Sequence, residues 1–314
     1  MRTAVLISLT LALAAPGVAL AAAKPAVTTG GASSVAQQTA TVSGTVNPNG
    51  VATTYFFQYG PTIVYGAQTA ATPVGAGTKG VAVSAPIAGL APATKYHYRL
   101  VAQNARGTTV GADRTFTTRR QPLGVTLAAT PNPVALGGGS TLAGTLTGTG
   151  NAGRAVQLQA NPFPYTQGFQ PVANTELTNA QGGFSFVLPT IGINTQFRVL
   201  MPNSPKVASP IVAVGVAVRV STHVHETRSG RGLLVSFSGT VRPARDGAQF
   251  AIQKLHGSHW ATIGGSITHH GSTTFSRYSK RVRLRHSGTF RVFVGIADGN
   301  FVSNVGREVH IHVR

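Results

Sequence analysis

The chain has 314 residues, no cysteine, and 26 Lys and Arg against 6 Asp and Glu. The missing thiols exclude disulfide staples, thiolate metal sites and cysteine nucleophiles. The formal net charge of +20 favours association with polyanions.

Met1-Arg2-Thr3 precedes an apolar run from Ala4 to Ala15, which Pro16 and Gly17 break before Ala19-Leu20-Ala21. A basic start, a short apolar run and a small-x-small triplet predict a secretory signal peptide over residues 1–23, cut after Ala21 or Ala23. The run falls short of the ~20 residues that span a bilayer. No later stretch approaches that length. The expectation is a secreted or cell-envelope protein with no transmembrane segment in the mature chain.

Beyond the leader, two tags recur. Ser43-Gly44-Thr45-Val46 returns as Ala143-Gly144-Thr145-Leu146 and as Ser238-Gly239-Thr240-Val241. An aromatic-Arg-aliphatic triplet appears as Tyr98-Arg99-Leu100, Phe197-Arg198-Val199 and Phe290-Arg291-Val292. The glycine-to-arginine offset is 55, 54 and 52 residues. Two tags holding their distance three times mark three domain-sized repeats rather than a tight solenoid. The expected divisions are 24–118, 119–215 and 216–314. Thr118-Arg119-Arg120-Gln121-Pro122 reads as a linker, whereas the apolar stretch from Val212 to Val220 suggests a strand running from one domain into the next.

Within each repeat the hydrophobic period is two. Tyr96, Tyr98 and Leu100 share one face against Lys95, His97 and Arg99, and Ser279 to Arg285 alternate in the same way. Turn signals such as Asn47-Pro48-Asn49-Gly50 and Asp298-Gly299-Asn300 separate the runs. No sustained helical periodicity follows the leader. The predicted fold class is all-β: three tandem Ig-like or fibronectin type III-like β-sandwiches.

The segment Gly89-Leu90-Ala91-Pro92-Ala93-Thr94-Lys95-Tyr96-His97-Tyr98-Arg99 resembles fibronectin type III domains of bacterial secreted proteins, over about Pro25 to Thr118. The resemblance implies that Tyr96 is the tyrosine of a tyrosine corner. It also implies that Phe56 or Phe57 stands in for the missing core tryptophan. The later repeats resemble bacterial Ig-like domains only in general. What the resemblance implies is a spacer, presentation or binding module, without a ligand.

The chain has six acids, Asp113, Glu176, Glu226, Asp246, Asp298 and Glu308. Each of the first two repeats has one, so neither holds a glycosidase carboxylate pair. There is no G-x-S-x-G elbow, P-loop or dinucleotide fingerprint. No catalytic residue and no cofactor is expected.

The third repeat is different. From Val216 to Arg314 there are 14 basic and 4 acidic residues, with nine of the ten histidines. Arg277, Lys280, Arg281, Arg283 and Arg285 crowd one hairpin. Arg281, Arg283 and Arg285 are expected to alternate onto one side as a ladder for phosphates or carboxylates, with Tyr278 and Trp260 adding stacking surface. The partner this favours is an anionic cell-wall or extracellular polymer. Nucleic acid is not the expected partner, because no nucleic-acid motif is present. His223 and His225 on an opening strand and His310 and His312 on a closing strand form i, i+2 pairs. If those strands adjoin, four imidazoles share one face suited to zinc, copper or nickel. The reading is thus a non-catalytic envelope binding or spacer protein. The alternatives are a carbohydrate-binding accessory protein, against which the single tryptophan counts, and a metal-binding envelope protein.

Overall fold

A computed structural model describes residues 23–229 and 232–313. All but the last residue of the expected signal peptide lies outside the described residues. The chain forms two compact units, one ending at Gln121 and one beginning at Pro122. Among the described residues the regular structure is entirely β, and no helix is long and apolar enough to cross a membrane.

The first unit is one sandwich. Its smaller sheet places Thr39–Asn47 between Ala26–Ser33 and Val81–Ala88; its larger sheet is centred on Thr53–Gly60 and Lys95–Asn104. Alternation drives the two together: Val42, Val46, Phe57, Tyr98 and Leu100 are buried between the sheets. Each such side chain contributes about 1.5–3 kcal/mol by leaving water. Phe57 is fully buried in this core. Tyr96 closes a tyrosine corner, its hydroxyl accepting the Ala91 N–H at 2.9 Å.

The second unit holds two more sandwiches of the same plan. In one, Ser140–Thr147 pairs with Gly183–Leu188, facing a sheet centred on Ala155–Pro162 and Thr195–Met201. In the other, Gly232–Arg242 pairs with Phe275–Leu284, facing Gln249–His256 and Gly288–Val294.

Both recurrent tags have structural causes. The tag glycine sits where the opening strand presses a carbonyl against its neighbour. A Cβ on Gly144 would lie 2.0 Å from the Thr126 oxygen, and one on Gly239 would lie 1.9 Å from the Ser221 oxygen. In the first sandwich the corresponding approach, Gly44 to Thr28, is 2.6 Å. Only glycine leaves room for that approach.

The tag arginine is clasped on the outer surface. Arg99, Arg198 and Arg291 each donate Nε–H to a glutamine directly opposite: Gln58 at 2.8 Å, Gln159 at 2.9 Å and Gln253 at 2.8 Å. Each guanidinium also lies over an aromatic ring: Tyr65 at 4.5 Å, Phe169 at 4.3 Å and Trp260 at 4.0 Å. Amide and ring together hold the fork flat against the sheet.

The second and third sandwiches are joined without a free linker. Val216 is buried in the core of the second and Val218 in the core of the third, while Phe301 packs against both. The backbone between them is bonded on two sides. Val134 N–H donates to Gly215 O (2.8 Å) and Leu136 N–H to Ala217 O (3.1 Å), while Val302 N–H donates to Val216 O (2.9 Å). Asn194 clamps the joint, accepting the Val216 N–H at 2.7 Å and donating to Gly299 O at 2.8 Å.

Candidate anion-binding face

The strand Phe275–Leu284 buries Ser276, Tyr278 and Leu284 and turns Arg277, Ser279, Arg281 and Arg283 outward. On its neighbour, Leu233, Val235, Phe237 and Val241 face the core, so Leu234, Ser236, Ser238, Thr240 and Arg242 face out. Register then assembles rows across the sheet. His225, Ser236 and Arg281 form one row, His223, Ser238 and Ser279 the next, then Thr240, Arg277 and His269. At one end Arg219 lies directly opposite Arg242, and the Arg242 and Arg277 guanidinium groups lie 5.0 and 5.6 Å from the centre of the Phe275 ring.

Five arginines and three histidines therefore share one surface, and no outward position of these strands, among the described residues, carries an acid. Facing Arg219 with Arg242 costs stability, since like charges opposed across a sheet repel.

Of the hairpin cations, Arg277, Arg281 and Arg283 lie on this face. Lys280 takes the alternate register, opposite Phe237, and is exposed. Arg285 is exposed in the bend just past the strand. Sequence reasoning missed Arg219, Arg242 and His269. Arg242 was traceable, as the outward continuation of Ser236, Ser238 and Thr240; the other two join the face only through cross-strand register.

Three expectations are corrected. The histidine pairs do not share a face: His223 and His225 belong to the strand beside Gly232–Arg242, whereas the Val309–Ile311 strand, with His310, pairs with Gly288–Val294 in the opposite sheet. Opening and closing strands thus lie in different layers. Among the described residues no three His, Cys, Asp or Glu side chains are grouped to hold a metal ion. His310 instead meets His312 edge to face, with ring centres 4.6 Å apart, and lies 3.1 Å from Thr289 Oγ1. Neither aromatic adds stacking surface. Trp260 lies in the opposite sheet under Arg291. Tyr278 is 2% exposed, its hydroxyl donating to Ser221 O at 2.7 Å and lying 2.9 Å from Thr222 Oγ1. Burial pushes this phenol up to about 12.

The outward surface has a hollow at the tag glycine. Ser238, Gly239, Thr240, His269, Arg277, Tyr278 and Ser279 line about 380 Å³. The first sandwich has a hollow at the equivalent place, lined by Ser43, Gly44, Thr45, Ala82 and Ser84 among others.

A second hollow in the third sandwich, about 480 Å³, has Asp246 and Asp298 in its lining. Ser276 Oγ donates to Asp246, and His270 Nδ1 lies 3.0 Å from it. These contacts hold the carboxyl below its ordinary range. Asp298 lies 2.9 Å from Arg245 Nε and accepts the Asn300 N–H at 2.9 Å. A general acid must instead be kept protonated, and the surroundings of Asp246 act the other way.

The chain has an all-β, Ig-like and fibronectin type III-like fold. No protein-family model and no curated protein matches it. Among solved structures, the FN1-FN3 domains of chicken CNTN1 are similar at 13% identity and a TM-score of 0.30, over 91% of this chain and 98% of that one. The fold assignment rests on the strand order and register given above.

Proposed function

We propose that the protein is a non-catalytic, exported binding and spacer protein, whose third sandwich holds an anionic polymer of the cell envelope or its surroundings. The observation that carries this is the outer face with outward Arg219, Arg242, Arg277, Arg281 and Arg283 and, among the described residues, no acid at an outward position of its strands. Guanidinium groups suit carboxylate and phosphate oxygens because their donors form a planar fork. The clasped arginines of the three repeats belong to the scaffold, since their forks are already engaged by glutamine and ring.

Ionic retention of a polymer releases counterions, so affinity falls steeply with salt. The test is fractionation of producing cells before and after a high-salt wash, followed by binding of the purified chain to anionic and neutral polymers at graded ionic strength. Release by salt and loss of binding in Arg277→Gln/Arg281→Gln/Arg283→Gln support the reading. Salt-independent retention on a neutral glycan refutes it.

A further inference from the structure

We infer that the hollow at Gly239 seats one acidic sugar residue of an anionic polysaccharide, an assignment that rests on the face proposed above. The two equivalent hollows make the argument. Register equates Ser43 with Ser238, Thr45 with Thr240, Ser84 with Ser279, and Ala82 with Arg277. Three hydroxyl positions are the same, and the fourth changes from a methyl group to a guanidinium. The third sandwich also brings His269 beside Arg277 from an added edge strand. One repeat therefore carries the scaffold of the hollow, and the other carries the scaffold with a cationic wall.

The lining decides the ligand class. Arg277 supplies a fork for a carboxylate or sulfate. Ser238 and Ser279 supply hydroxyls, each able to donate one hydrogen bond and accept others, while the Thr240 hydroxyl already lies 2.8 Å from Ser221 Oγ and offers only its remaining capacity. A phosphate chain at neutral pH offers mainly acceptors and leaves the accepting capacity of these hydroxyls unused. A sugar ring offers hydroxyls that both give and take, matched to this set. The volume, about 380 Å³, lies in the range of small-ligand sites. Along the same strand Arg281 follows Arg277 by four residues, roughly 13 Å at the usual rise of a strand. The polymer therefore lies along the strand, with its acidic groups meeting Arg277 and then Arg281.

Titration calorimetry on the full chain at low salt tests this with polygalacturonate oligosaccharides and inorganic polyphosphate of matched charge. Three variants are compared: Ser238→Ala/Ser279→Ala, Arg277→Gln, and Arg281→Gln outside the hollow. Thermal melts confirm that each is folded. The expected result is tenfold or greater weakening of the polyuronate by each of the first two variants, about threefold by the third, and polyphosphate binding unmoved by the serine pair. If neither polymer binds, the proposed face and the seat both fall. If both bind but the serine pair leaves polyuronate affinity unchanged, the seat is overturned and the face stands. If polyphosphate binds more tightly and responds to the serine pair, the hollow is a phosphate seat and the sugar assignment is overturned.

Discussion

Replacing the tag glycine by alanine in each repeat measures what holds the opening strand against its neighbour. In Gly144→Ala the new methyl would lie 2.0 Å from the Thr126 oxygen and 2.7 Å from Phe184 Cζ. The phenyl ring can shift, but the carbonyl is fixed. Thr126 N–H donates to Thr145 O and Thr145 N–H donates to Thr126 Oγ1, both at 2.9 Å. Relief means breaking those two bonds, about 0.5–1.5 kcal/mol each, on top of about 1–3 kcal/mol for overpacking. The expected loss is about 2–6 kcal/mol, above the gain of a few tenths to about 1 kcal/mol from stiffening the unfolded chain. Gly239→Ala should cost as much, because Ser221 is bonded to Thr240 in the same way and Tyr278 Oη is 2.7 Å from the new atom. Gly44→Ala should cost less, about 1–3 kcal/mol, since its nearest neighbours are the Leu100 side-chain end and a carbonyl, both at 2.6 Å. Urea denaturation of the full-length variants, with hydrogen exchange assigning each loss to its sandwich, reads the series. A Gly144→Ala protein within 0.5 kcal/mol of the parent would show that the close approach does not hold the strand, and the reasoning would fail.

The buried Tyr278 phenol predicts an alkaline transition. Its folded value, about 12, lies above the ordinary phenol value of 10.0. The stabilisation is therefore complete below pH 10 and is lost as pH rises through about 12, about 2–3 kcal/mol in all. Tyr278→Phe should flatten that loss, as followed by tyrosinate absorbance and stability between pH 9 and 12. Tyr96→Phe removes the acceptor of the Ala91 N–H and should cost about 1 kcal/mol in the first sandwich, read by thermal denaturation. For the clasp, Arg198→Ala should cost about 1–2 kcal/mol from the lost ring contact and amide bond. A double-mutant cycle with Gln159→Ala should return a coupling of about 0.5–1 kcal/mol, and a coupling of zero would make the pair incidental.

The β class, the buried stripe of Tyr96, Tyr98 and Leu100, and the tyrosine corner were legible because each depends on neighbours along the chain. The tags were legible as repetition before their causes were. Gly44, Gly144 and Gly239 recur because a carbonyl of the directly paired opening segment comes within contact. Arg99, Arg198 and Arg291 recur because a glutamine on the paired strand and a ring elsewhere in the chain engage them. Alternation puts Arg281 and Arg283 on one side, since a strand's period of two settles which face a residue takes, but Arg285, expected to continue that ladder, falls in the bend past the strand's end at Leu284. Alternation does not settle which sheet the strand joins. His223 and His310 share a surface only if first and last strands adjoin, and hydrogen bonding sends those strands to opposite layers. Trp260 was misplaced for the same reason. Arg219, Arg242 and His269 needed the register of three separate pairings before they could be seen beside Arg277.

The joint at residues 216–218 bears on how such a face would meet a surface. A flexible tether fixes only how far a binding module can reach, and the module tumbles through every bearing within that radius. Here the connecting residues are hydrogen-bonded to Val134 and Leu136 on one side and to Val302 on the other, with Asn194 bracing them. Swivelling would break bonds on both sides at once. The second sandwich therefore fixes the angle as well as the distance at which the third is held, so that a surface bound by the arginine face would be met at a set bearing.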